Sequence, residues 1–125
     1  MSNILVIGFG GFIGAVLRYF LTNYIHASKN IIFPLGTLLV NVVGCFFIGL
    51  LMYLTQEKFL ITSNMRLMLV TGLLGSFTTF SAFGFETLNL IKTGDVPSAV
   101  LNIILNVLLG IGAVFLGKYF IKIFI

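Results

Sequence analysis

The chain has little charge for its length. Of its 125 residues, 8% are charged and 59% are hydrophobic, and the mean hydropathy is +1.19. Soluble domains carry about 25% charged residues, so this chain lacks the polar side chains that a water-facing surface needs. It has no tryptophan and a single cysteine, Cys45, which excludes an intrachain disulfide. The composition predicts a protein embedded in a membrane.

The few charged residues also exclude functions. Seven Lys and Arg stand against three Asp and Glu, but they are scattered, and no basic run is available to bind nucleic acid. No nucleophile and base pair and no cluster of metal-ligating side chains is visible, and the single histidine, His26, is expected alone in a loop. We therefore predict neither an enzyme nor a nucleic-acid-binding protein.

Long apolar stretches predict four membrane spans, at about residues 3–23, 34–54, 66–91 and 97–122, within one transmembrane domain, 1–125. A helix needs roughly 20 apolar residues to cross a bilayer. Pro34 and Pro97 stand where the second and fourth helices should begin, the position at which a missing N–H matters least. The N-terminal stretch has no basic segment or cleavage site, so we expect it to be a retained span. The expected fold is an all-α membrane protein of four transmembrane helices.

The basic residues give almost no preference for one orientation. The side that holds both termini has four of them: Lys58, Arg66, Lys118 and Lys122. The opposite side has three: Arg18, Lys29 and Lys92. Because Lys and Arg near span ends set orientation, this balance permits insertion both ways up and an antiparallel dimer. A single, weakly set orientation is equally compatible with it.

Polar residues within spans are costly and are functional candidates. Thr37 and Asn41 share one face of the second helix, and Asn41 could either bond a neighbouring helix or serve a pathway. Asn102 and Asn106 repeat this spacing, and for them packing is the stronger interpretation. Arg18 could reach the interface or sit at the mouth of an anion path. Glu86 is the carboxylate within a span. Glycines such as Gly10 and Gly14 indicate close helix packing.

The stretch GSFTTFSAFGFE, residues 75–86, interrupts the third span with residues that weaken a helix. Two threonines, a serine and flanking glycines predict a break between Gly75 and Thr79. Backbone can be irregular at this depth only where protein or a wet cavity surrounds it, and a break frees carbonyls that suit a small hard cation. Phe80 and Phe83, three residues apart, share a face, and their electropositive ring edges could accept a small anion. Ordinary core packing is the alternative.

Three segments together resemble the Fluc (CrcB) family of fluoride channels: GFIGAVLRY (Gly11–Tyr19), GTLLVNVVG (Gly36–Gly44) and GSFTTFSAF (Gly75–Phe83). Their order and spacing match over the whole chain. The resemblance implies an antiparallel, dual-topology homodimer in the plasma (inner) membrane of a bacterium. It also implies two pathways, formed between the subunits, through which cytoplasmic fluoride leaves passively.

The resemblance further assigns roles to individual residues. It implies a fluoride pore formed by Phe80, Phe83 and Asn41, with a polar track continued by Ser81, Thr37 and Glu86. It places Arg18 at the aqueous vestibule and a structural sodium ion on the backbone carbonyls of Gly75 and Thr78, shared between two chains. The sequence departs from the family pattern at Ala82, where the family usually has a threonine.

Two alternatives have different sequence requirements. A small multidrug transporter has a similar size, but it depends on a carboxylate in the first span, and this chain has none there. A non-transporting assembly subunit would use its polar residues only to hold helices together. In that case, replacing Phe80 or Phe83 with Ile would change stability alone.

Overall fold

Helices make up nearly all of residues 2–28 and 32–125, the part of the chain that this computed structural model describes. In chain order they are α1 (Ser2–Ser28), α2 (Leu35–Gln56), α3 (Ser63–Arg66), a π-helix (Leu67–Leu74), α4 (Gly75–Phe77), α5 (Phe80–Lys92) and α6 (Val96–Phe124). Lys29, which enters the charge balance, lies outside the described residues.

The described residues contain four helical stretches long and apolar enough to cross a membrane: Asn3–Ala27, Leu35–Gln56, Ser63–Lys92 and Val96–Phe124. No strand occurs in residues 2–28 or 32–125. The prediction of an all-helical chain with four membrane-length helices is therefore confirmed. Ser63–Lys92, which we call the third span, contains every element from α3 to α5.

Prolines mark the starts of two helices, as predicted, and an aspartate caps one of them. Pro34 is the N-cap residue of α2. Pro97 lies in the first turn of α6, where Asp95 Oδ1 accepts a hydrogen bond from Ser98 N at 3.2 Å. Because the first N–H groups of a helix have no partner within it, a side-chain cap and a proline both fit there.

The first helix runs further than its predicted span. Helix α1 continues to Ser28, so His26 lies in its last turn and not in a loop. No proline or glycine stands between Asn23 and Ser28 to stop the helix, and continued helix satisfies backbone groups that would otherwise need water. The expectation of a loop histidine is thus wrong.

Helices α2 and α6 run parallel, and their backbones approach closely. Asn41 meets Asn106 across this seam. A Cβ atom on Gly49 would overlap Val114 O. Where α2 ends, Lys118 Nζ of α6 forms an ion pair with Glu57 Oε1 at 2.6 Å. Small residues therefore let the seam close, as expected for helix packing in a membrane.

Helix α1 packs in the same way against the first half of the third span. A Cβ atom on Gly10 would overlap Met68 O, and one on Gly14 would overlap Leu73 O. Ser76 Oγ donates to Gly11 O at 2.8 Å. The pair Gly10 and Gly14 thus marks a helix interface, as its spacing predicts.

The third span is broken, but over fewer residues than expected. The helix continues through Gly75–Phe77, and only Thr78 (φ −79°, ψ 156°) and Thr79 (φ −149°, ψ 114°) are extended. The predicted break, Gly75 to Thr79, is therefore too long at its start. Gly75 itself stays in the helix: it takes α-helical dihedrals, and its N–H still donates to Val70 O and Gly72 O.

Candidate pore and its polar residues

Asn41 of α2 clamps the break. Its Oδ1 accepts a hydrogen bond from Thr79 N at 2.8 Å, and its Nδ2 donates to Thr79 O at 3.2 Å. Thr79 is 7% exposed, so water cannot easily satisfy its backbone, and an unpaired buried amide is costly. The side chain of Asn41 thus supplies the bonds that a continuous helix would have supplied.

The break also removes the helical donors of several carbonyls, among them those of Gly75 and Thr78. In an unbroken α-helix Thr79 N–H would donate to Gly75 O, but here it donates to Asn41. Likewise Ala82 N–H would donate to Thr78 O, but it donates to Thr79 Oγ1 at 3.1 Å, capping α5. The carbonyls of Gly75 and Thr78 have therefore lost their helical donors. Carbonyl oxygens are the type of ligand that a hard cation prefers.

The two phenylalanines come together directly after the break. The ring centroids of Phe80 and Phe83 lie 5.4 Å apart with an interplanar angle of 57°. Phe80 is 83% exposed on the single chain, whereas Phe83 is half-buried. Both rings border a cavity of about 270 Å³ whose lining includes Asn41, Cys45, Thr79 and Asn106. Two amide side chains and two aromatic rings thus share one small space.

A second polar pair lies further along α5. Thr37 is 3% exposed, and its hydroxyl donates to Glu86 Oε1 at 2.6 Å. The other carboxylate oxygen, Oε2, is buried without a hydrogen-bond partner among the described residues. Glu86 borders a second cavity, of about 390 Å³, which His26 also borders. Thr37 and Asn41, one turn apart on α2, therefore both face the second half of the third span.

Comparison with known proteins identifies the family to which this arrangement belongs. A family profile described as "CrcB-like protein, Camphor Resistance (CrcB)" matches residues 5–118. The chain belongs to the CrcB family. The resemblance found in the three sequence segments is thereby confirmed.

Relatives of this CrcB protein are similar over nearly their whole length. "Fluoride-specific ion channel FluC 1" of Methanosarcina acetivorans is 49% identical over 118 residues, which cover 94% of this chain and 89% of that protein. "Fluoride-specific ion channel FluC" of Hydrogenovibrio crunogenus is 45% identical over 115 residues, covering 92% and 87%. The protein of that name from Dehalococcoides mccartyi is 45% identical over 119 residues, covering 95% and 92%.

Ser81 and Arg18 are among the predicted site residues of this CrcB protein that do not line the first cavity. Ser81 is exposed, and its hydroxyl lies 3.3 Å from Thr79 Oγ1. Arg18, half-buried on α1, borders neither cavity described here. Its vestibule role stays a prediction, as do the pore and track roles of the other residues.

The structure adds residues of α6 that sequence reasoning assigned to packing. Asn41 Nδ2 also donates to Asn106 Oδ1 at 3.0 Å, and Asn106 Nδ2 donates to Asn102 Oδ1 at 2.9 Å. Asn102 Nδ2 donates to Thr87 Oγ1 at 2.9 Å. We call these four side chains, Asn41, Asn106, Asn102 and Thr87, the amide relay. The repeated i, i+4 spacing of Asn102 and Asn106 was the available signal.

The described residues contain no group of three or more His, Cys, Asp or Glu side chains placed to hold a metal ion. Gly75 O and Thr78 O are two of the carbonyls that the break frees, and their role as sodium ligands stays a prediction.

Proposed function

We propose that this protein is a fluoride-selective ion channel that exports cytoplasmic fluoride by passive conduction. The observation that carries the proposal is the shared cavity of Phe80, Phe83 and Asn41, in a chain of the CrcB family. The relatives described above are named as fluoride-specific channels, which supports the choice of ion. The chain is then a membrane transport protein and not an enzyme.

The chemistry of the cavity suits a small, dehydrated anion. Aromatic rings are electropositive at their edges, so the pair Phe80 and Phe83 can stabilise an anion without a fixed cation that would hold it too long. Asn41 supplies an amide hydrogen, the one donated to Asn106 Oδ1 when no anion is bound, which replaces lost water. Ser81, Thr37 and Glu86 continue this polar track, and Arg18 attracts anions at the vestibule.

The proposed assembly is an antiparallel, dual-topology homodimer with two pathways between its subunits. The exposure of Phe80, 83% on the single chain, supports it, because a second copy would cover this ring. The nearly balanced basic residues favour insertion in both orientations. We place the dimer in the plasma (inner) membrane of a bacterium.

A structural sodium ion at the dimer interface belongs to the same proposal. Gly75 O and Thr78 O would hold it, and their fit rests on the diversion of both helical donors. The ion would supply positive charge to freed carbonyls that otherwise lack a partner at membrane depth. At the break, Asn41 would then bond the backbone of Thr79, and the sodium ion would bind the carbonyls of Gly75 and Thr78.

Flux measurements on purified protein test the function. Liposomes loaded with fluoride and holding the protein should release fluoride rapidly, while chloride-loaded liposomes should release little. Protein-free liposomes are the control for leakage of neutral HF. Equal rates for the two anions, or no fluoride release, would contradict the proposal.

A non-transporting assembly subunit is the second candidate, and one observation favours it. Both hydrogens of the Asn41 amide are engaged in bonds within the protein, as a purely structural asparagine would have them. Replacing Phe80, which is largely exposed, with Ile separates the two candidates. A channel should lose fluoride flux while it still folds, whereas a structural subunit should show no flux in either form.

A further inference from the structure

The amide relay has one possible direction. The hydroxyl of Thr87 has a single hydrogen, and it is donated to Phe83 O at 2.7 Å. Thr87 Oγ1 can therefore only accept from Asn102, which turns the amide nitrogen of Asn102 toward Thr87 and its oxygen toward Asn106. Each step then fixes the next.

The last step fixes the pore amide itself. Asn106 donates to Asn102, so Asn106 presents its oxygen to Asn41. Asn41 must then turn its amide nitrogen toward Asn106, which lines the same cavity. A flipped Asn41 would bring two amide oxygens together and would also leave Thr79 N–H without its acceptor. Asn106 on one side and Thr79 on the other thus fix the orientation of the Asn41 amide.

Burial makes the relay rigid. Asn102 is 1% exposed and Thr87 is 7% exposed, so water has little access to replace a missing partner. Asn106 gives a further hydrogen bond to Asn102 O at 2.9 Å, which holds its amide against the α6 backbone. The relay joins Thr79, before Phe80, to the carbonyl of Phe83 after it.

We propose that Asn106, Asn102 and Thr87 are positioning residues for fluoride conduction. They hold the Asn41 amide nitrogen as a donor toward the cavity and tie the backbone on both sides of Phe80 to α6. Asn106 Oδ1 accepts the amide hydrogen in the absence of an anion and yields it to fluoride. The inference rests on the proposed function and assigns a role to residues that were not predicted to form the pore.

Thr87 allows the sharpest test, because it lines neither cavity and valine is an isosteric replacement for threonine. Thr87→Val removes the acceptor for Asn102, whereas Thr87→Ser retains the hydroxyl. Thr55→Val is the matched control: Thr55 Oγ1 donates to Leu51 O at 2.6 Å, the same i−4 bond, but no asparagine donates to it. Both Val variants lose one intrahelical bond, and only Thr87→Val interrupts the relay.

The readout is the fluoride concentration that gives half-maximal flux in liposomes. A fold defect lowers the number of active channels and leaves this concentration unchanged, whereas a misoriented donor raises it. We expect Thr87→Val to raise it about threefold to tenfold, the factor that corresponds to one net hydrogen bond. Thr87→Ser and Thr55→Val should remain near the wild-type value.

An unchanged half-maximal concentration in Thr87→Val, whatever its maximal flux, overturns the inference. If Thr87→Val does not fold, the same measurement on Asn106→Leu decides in the same way. Wild-type protein without fluoride flux would instead overturn the proposed function, and the inference with it.

Discussion

The seam between α2 and α6 offers a prediction whose size follows from the structure. In Gly117→Ala, the new methyl group would overlap Phe46 O and lie 3.1 Å from Leu50 N. Both obstacles are backbone atoms, so no side-chain rotation can relieve the overlap. The helices must separate, by roughly an ångström, to restore ordinary van der Waals distances.

Two opposing effects set the free energy of unfolding of this variant. Overpacking against immobile backbone costs about 3 kcal/mol, the upper part of the usual range. Alanine in place of glycine returns about 1 kcal/mol through helix propensity. The net loss of about 2 kcal/mol lowers the ratio of folded to unfolded protein by a factor of roughly 30.

The seam also holds the relay, so conduction should change with stability. Asn41 Nδ2 and Asn106 Oδ1 are 3.0 Å apart across it, and an added ångström would exceed hydrogen-bond distance. Fluoride flux per folded protein should therefore fall in Gly117→Ala.

Denaturation of the detergent-solubilised protein, followed by helical circular dichroism, measures the stability. Gly112→Ala and Gly8→Ala are the controls, because a methyl group at either position meets nothing within 4 Å. These variants should be as stable as wild type or more so. Equal stability of Gly117→Ala and Gly112→Ala would refute the steric reasoning.

Three further predictions concern the break and the polar track. In Gly44→Ala a methyl group would overlap the side-chain methyl of Thr78, so flux should fall while the fold persists, and unchanged flux in liposomes would contradict this. Thr37→Val removes the 2.6 Å bond to Glu86 and should cost about 1–3 kcal/mol of unfolding free energy. Thr37→Ser should cost much less, and equal denaturation curves for the two variants would exclude that bond as a stabilising one. Replacing sodium by a large organic cation on both sides of the membrane should lower fluoride flux or dissociate the dimer. Flux measured at vanishing sodium checks the first effect, and size-exclusion chromatography checks the second.

Local sequence signals predicted much of the architecture. Pro34 and Pro97 mark helix starts because the proline ring fits the first turn. Gly10 and Gly14 mark an interface because only glycine permits backbones to approach so closely. The spacing of Phe80 and Phe83 placed both rings on one face, and they are neighbours in space.

The position of the break was harder to predict, because distant residues determine it. Thr78 and Thr79 leave the helix where Asn41 of α2 offers a competing acceptor and donor to Thr79. Gly75, a poor helix former by propensity, stays helical because its N–H keeps partners in the preceding turn, Val70 O and Gly72 O. No local pattern identifies which polar residue on another helix will face a given backbone group.

The relay was missed for a similar reason. Asn102 and Asn106 have the spacing of a helix face, but spacing cannot distinguish packing from a connection to Asn41. That distinction depends on the parallel register of α2 and α6, which brings Asn41 opposite Asn106. Register between helices is a property of the assembled bundle.

The clamp at Thr79 has a consequence for biogenesis. A third span that entered the bilayer before α2 was in place would find no acceptor for Thr79 N–H except Gly75 O, because lipid offers none. It would therefore insert as an uninterrupted helix. Membrane helices insert separately and then associate, so the third span would open only when Asn41 of α2 reaches Thr79. The pore would then be completed at the last stage of assembly.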